Sequence, residues 1–110
     1  MGFRTWLARR GIRGIAKSMC GVYKQGKAMH PDLDEAQLCQ DVIGSRYQAI
    51  PPGPKEQTII SEGIEHVSDL YSACLLVVRA ETGLNYADDP SLMRDIVRIV
   101  RQEVDRFLKR

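Results

Sequence analysis

The chain predicts an all-α protein: a small four-helix bundle-like domain spanning residues 1–110, its last two helices forming a long antiparallel hairpin at the centre. Three observations carry that prediction. Apolar residues recur at alternating steps of four and three through most of the chain, the spacing that keeps side chains on one face of a helix. The period-two alternation of a half-buried strand is absent. The periodic segments break at residues with start or stop chemistry: Pro31, the stretch QAIPPGPK, Gly83, and Asp89 with Pro90.

The first helix is expected over 5–29, where Ala8, Ile12, Ile15, Met19, Val22, Gly26 and Met29 form one stripe. Glycines 11, 14, 21 and 26 interrupt it, each costing about 1 kcal/mol relative to Ala, so packing has to offset roughly 4 kcal/mol or the helix breaks near Gly11 or Gly14. Within the stripe, Gly26 lets a neighbouring helix come close, and residues 1–10 read as a flexible basic amphipathic arm. Pro31 stops this segment, and Asp34 with Gln37 resembles a capping box opening a shorter helix over 34–47, with Leu38, Cys39, Val42 and Ile43 inward. A third helix is expected over 55–82, carried by Ile60, Ile64, Val67, Tyr71, Cys74 and Val78. Gly83 suits the left-handed position after its last turn, with Leu84 folding back. At 1.5 Å per residue that helix is about 42 Å long, more than the second helix can cover, and so a homodimer is expected. Asp89 as cap and Pro90 as first residue open the fourth helix, 90–109, with Met93, Val97, Val100, Val104 and Phe107 on its apolar face. The short connection TGLNYADD makes the last two helices an antiparallel pair.

Composition excludes several classes. With 44% hydrophobic and 27% charged residues the chain is neither disordered nor fibrous. Its longest apolar run, ACLLVV, falls far short of the roughly 20 residues of a spanning helix. Three cysteines at uneven spacing fit neither a disulfide framework nor a zinc motif, which favours a reducing, cytoplasmic setting, with peripheral membrane contact a further expectation. The net charge of +2 hides a block pattern. Residues 1–31 hold seven basic side chains and no acid, residues 32–89 carry a net −8, and residues 90–110 a net +3. Such asymmetry suggests that the first helix meets something anionic.

Residues 21–28, GVYKQGKA, match the phosphate-binding loop G-x-x-x-x-G-K-[ST] except at Ala28, which replaces the magnesium-binding hydroxyl. The stretch before them has helical period where the loop needs a strand, so no nucleotide and no cofactor is expected. The lysines point to a different chemistry. Arg10, Arg13, Lys17, Cys20, Lys24 and Lys27 recur at steps of three and four, a row of five cations and a thiol along one helix face. It suits acidic lipid headgroups, nucleic-acid phosphates or an acidic protein, and Trp6 beside it suits a lipid–water interface. The acid-free start also resembles an organelle transit peptide, although it is poor in serine. Lys17 and Lys24, one turn either side of Cys20, favour a thiolate there if the side chain is exposed, whereas Cys39 and Cys74 sit in apolar stripes and read as core.

Two further rows complete the candidates. Glu62, His66 and Asp69 fall at i, i+4 and i+7 of the expected third helix; they read first as a charged outer face and acidic counterpart of helix one, and second as a metal or acid–base row. Arg94, Arg98 and Arg101 form a second basic row, partly answered by Asp105. The expectation is a non-enzymatic interaction module or assembly subunit whose basic first helix docks on an acidic partner or membrane leaflet. The alternatives are a nucleic-acid-binding accessory protein and a small metal-binding or enzymatic bundle.

Overall fold

A computed structural model describes residues 3–83 and 89–109, with side chains from residue 11 onward. Every regular element among them is helical: α1 (Phe3–Met29), α2 (Glu35–Ala49), α3 (Pro54–Gly63), a 3₁₀ turn (Ile64–His66), α4 (Leu70–Thr82) and α5 (Pro90–Leu108). The all-α class is therefore as expected, with five α-helices in place of four. Leu84 and most of the α4–α5 connection lie outside the described residues.

Helix α1 runs unbroken for 27 residues despite its glycines. Its packing supplies the compensation: Ile12, Ala16 and Met19 are fully buried and Cys20 and Tyr23 nearly so, and burying one large apolar side chain is worth about 1.5–3 kcal/mol. Only one of its described glycines serves a close approach. A Cβ on Gly26 would stand 2.9 Å from Leu38 Cδ1 of α2, whereas one on Gly11, Gly14 or Gly21 would meet nothing. The buried arc differs from the expected stripe. At 100° per residue, positions 12, 16, 19, 20 and 23 are centred roughly 70° round the helix from that stripe, towards the basic row, which leaves Met29 74% exposed.

Helix α2 starts as its sequence indicates, with the Asp34 side chain accepting from the Gln37 backbone N–H and Leu38, Cys39, Val42 and Ile43 buried. The single helix expected over 55–82 is instead two. Gly63 ends α3 still in helical backbone, the chain leaves that conformation at Val67 and Asp69 and folds back, and α3 packs on α4 so closely that a Cβ on Gly63 would come within 2.5 Å of Leu76 Cδ1. Asp69 then opens α4 with a capping box: its carboxylate accepts from Ser72 N at 2.8 Å and the Ser72 hydroxyl accepts from Asp69 N at 3.1 Å. No residue of α3 is fully buried, whereas α4 buries Leu70, Ala73, Cys74, Val77, Val78 and Ala80. A 42 Å helix, and with it the geometric ground for a homodimer, does not exist.

Gly83 closes α4 at φ 68°, the left-handed conformation expected of it. Asp89 caps α5 by accepting from the N–H groups of Ser91 and Leu92, with Pro90 in the first turn. Although α4 and α5 pack together, α5 lies chiefly against α1. Helix α1 meets α2, α4 and α5, and α4 meets every other helix. These two helices, more than the expected terminal hairpin, enclose the core. Arg46 of α2 locks it from one side: Nε and Nη2 donate to the two Glu81 oxygens of α4 at 2.6 and 2.7 Å, Tyr47 donates to the same carboxylate at 2.9 Å, and Arg46 Nη1 reaches Ser18 of α1 at 3.1 Å.

Candidate functional site

Residues 21–28 are helical from end to end, so their backbone N–H groups serve the helix and form no phosphate cradle. What remains is the basic side of α1, and the fold divides it. Arg13 points to α5, where its Nη1 donates to Glu103 Oε1 at 3.1 Å. Glu103 is the one buried charged residue among those described, 5% exposed, and Arg106 Nη1 stands 3.7 Å from the same oxygen. A carboxylate drawn into the core between two helices needs such partners, so Arg13 acts as its counter-ion and is only half exposed. Lys17 and Lys24 are exposed and have no ion-pair partner among the described residues. Lys27, also exposed, lies 3.8 Å from Glu35 and 5.7 Å above the Tyr23 ring. The hydrogen bond with the Tyr23 hydroxyl raises its pKa further above the ordinary lysine value, and it stays cationic throughout the physiological range. The side chains of Trp6 and Arg10, both on α1, lie outside those described.

Cys20 belongs to the core and not to an exposed row. It is 4% exposed, and burial, with the Glu103 carboxylate adding to it, pushes its thiol up to about 11. The neighbouring lysines are directed to solvent and do not offset this, so the expected thiolate is not formed. Burial likewise pushes Cys39 up to about 12 and raises Cys74.

The rotation of α1 brings its lysine edge beside the end of α5. Lys17, Cys20 and Gly21 face Glu103, Arg106 and Phe107 across a cleft of about 360 Å³. Tyr23, Lys24, Lys27 and Ala28 face Phe107 and Leu108 across another of about 390 Å³, and Phe107 borders both. The Tyr23 and Phe107 rings meet edge to face at 6.3 Å and 82°. Tyr23 is held in place by donating to Glu35 at 2.9 Å; burial first, and this bond second, raise its pKa. Sequence reasoning missed Tyr23, Glu103 and Arg106 as members of the site. One signal was available: Glu103 falls in the apolar row of α5, three residues after Val100 and four before Phe107, and a carboxylate in such a row implies a cation facing it.

The remaining rows do not join this site. Arg94, Arg98 and Arg101 are exposed and border a separate depression with Met93 and Val97. Arg98 pairs with Asp95 at 3.2 Å, while Asp105, expected to answer Arg101, accepts the Tyr71 hydroxyl. Five residues separate Arg101 from Arg106, roughly 140° round α5, so the two basic rows face different ways. Glu62, His66 and Asp69 form no row: the first is on α3, the second in the 3₁₀ turn, and the third is the α4 cap. Among the described residues no three His, Cys, Asp or Glu side chains are grouped as metal ligands, and no helix is long and apolar enough to cross a membrane.

What the fold defines, then, is an all-helical domain with a cationic cleft between α1 and α5. Compared with family models, with curated proteins and with solved structures, the chain matches none.

Proposed function

We propose that this protein is a non-enzymatic helical interaction module that docks on an anionic surface through the exposed lysines of α1. One observation carries the reading: Lys17, Lys24 and Lys27 share an edge of α1 whose only described acidic neighbours are Glu103, already held by Arg13 and Arg106, and Glu35, paired with Lys27. Several acids of residues 32–89 serve contacts away from this edge: Glu81 serves Arg46, Asp34 and Asp69 cap α2 and α4, and Asp41 accepts from Gln37. The cationic edge is thus left for an external partner.

Each lysine beside an anionic leaflet is worth about 1 kcal/mol, so three contribute about 3 kcal/mol, or roughly 100-fold in affinity. The test is co-sedimentation with phosphatidylcholine vesicles with and without phosphatidylserine, beside binding to polyglutamate. Binding to at least one anionic surface is expected, weakening about 100-fold in the triple variant Lys17→Glu, Lys24→Glu, Lys27→Glu and falling with salt. Binding to neither, or binding unchanged in that variant, would overturn the proposal. The metal and acid–base alternative loses its geometric support with the dispersal of Glu62, His66 and Asp69, and the nucleic-acid alternative is weakened by the separation of the two basic rows.

A further inference from the structure

Resting on that reading, we infer that the occupant of the α1–α5 cleft is an acidic amphipathic helix of a partner protein. Shape is the first ground. A flat leaflet can touch the lysine tips but cannot enter a recess between two helices, whereas a rod can. The two depressions adjoin at Phe107, and together they border α1 from Lys17 to Ala28, about 16 Å or roughly three helical turns, which matches partner anchors at i, i+3 or i+4, and i+7.

Its chemistry is the second ground. The floor is apolar and partly open: Phe107 is half buried against the Tyr23 ring, and Leu108 is 52% exposed. At Gly21 the backbone is exposed and a Cβ would meet nothing within 4 Å, so a partner's side chain can reach the α1 backbone there. The rim is cationic, with Lys17, Lys24 and Lys27 on one side and Arg106 on the other. Glu103, buried and held by Arg13 and Arg106, does not repel an incoming carboxylate. A ligand that satisfies both floor and rim carries an apolar stripe flanked by Glu or Asp.

The probe is a fluorescent peptide of about three helical turns with leucines on one face and glutamates flanking them. It is titrated into the full chain beside a scrambled peptide of equal composition, with amide shifts recorded by NMR. Expected are shifts confined to residues 17–28 and 106–108, affinity for the amphipathic peptide at least about tenfold above the scrambled one, and a further loss of about tenfold in Lys24→Glu. Gly21→Leu separates cleft from charge, since it narrows the depression that Gly21 lines between Lys17 and Phe107, alters no charge and adds a good helix former at an exposed position. It should abolish peptide binding and leave polyglutamate or vesicle binding intact. If the scrambled peptide binds equally, or Gly21→Leu binds as the parent does, the inference falls and docking by charge alone stands. Failure of peptide, polyglutamate and anionic vesicles together overturns both. Self-association that the peptide displaces would also overturn it, by making a second copy of this chain the occupant.

Discussion

At the scale of single residues, burial decides what each polar group can do. The three thiols illustrate this. Lysines one turn either side of Cys20 suggest a reactive thiolate, but reactivity depends on where the sulfur points, and it points inward. We therefore expect a thiol reagent such as Ellman's at pH 8 to leave Cys20, Cys39 and Cys74 unmodified in the folded protein and to titrate all three in denaturant; rapid modification of one thiol under native conditions would contradict the assignment. Cys39 and Cys74 were legible as core because they sit in the middle of apolar stripes. Cys20 was not, because it lies at the boundary between stripe and basic row, where a rotation of less than a quarter turn decides inside from outside. Arg13 changed role for the same reason.

At the scale of the elements, glycine and capping chemistry compete with hydrophobic periodicity. Gly14 is exposed in the middle of α1 and needs no close approach, so Gly14→Ala should stabilise by about 1 kcal/mol and raise Tm by about 4 °C. Gly63→Ala should do the reverse, costing about 1–3 kcal/mol, because its methyl would press into Leu76 where α3 crosses α4. Thermal unfolding of the two variants checks both signs. Should Gly63→Ala stabilise as Gly14→Ala does, the Leu76 contact would not be what requires glycine at position 63. The break was present in the sequence as Gly63 followed by Asp69 and Ser72, but the apolar steps run straight through it. Periodicity reports which residues face a common core and does not report whether the chain between them stays straight.

Across the whole molecule, the contact between α2 and α4 ties stability to pH. Burial alone would push the Glu81 carboxyl up, but the hydrogen bonds from Arg46 and Tyr47 outweigh it and hold its pKa below the ordinary value. A carboxyl depressed in the folded state contributes stability that is present above its unfolded pKa, about 4.3, and lost as pH falls through the folded value. Glu81→Gln should therefore cost about 2 kcal/mol at pH 7, leaving Arg46 half buried without its counter-charge, and the gap between parent and variant should narrow below pH 4. Denaturant melts from pH 7 to pH 3 measure it, and a gap independent of pH would show that the charge of Glu81 is not what stabilises this contact. The same pair places Arg46 out of reach of any external anion. Of the cations in residues 11–83, the ones left for a partner are those at the α1–α5 edge and a few isolated positions such as Arg79.

Taken by itself, the sequence determined the helical class, the caps at Asp34 and Asp89, the left-handed stop at Gly83 and the acid-free character of the first helix, because each depends on residues within a few positions of one another. Only the tertiary structure decided how far α1 is rotated, that the chain folds back between Gly63 and Leu70, that Glu103 and Arg13 join α5 to α1, and that Phe107 and Leu108 border the depressions beside Lys17 and Lys24. Those features depend on contacts between residues up to 90 positions apart, and the steps of three and four along a helix carry no information about which neighbour lies across from it.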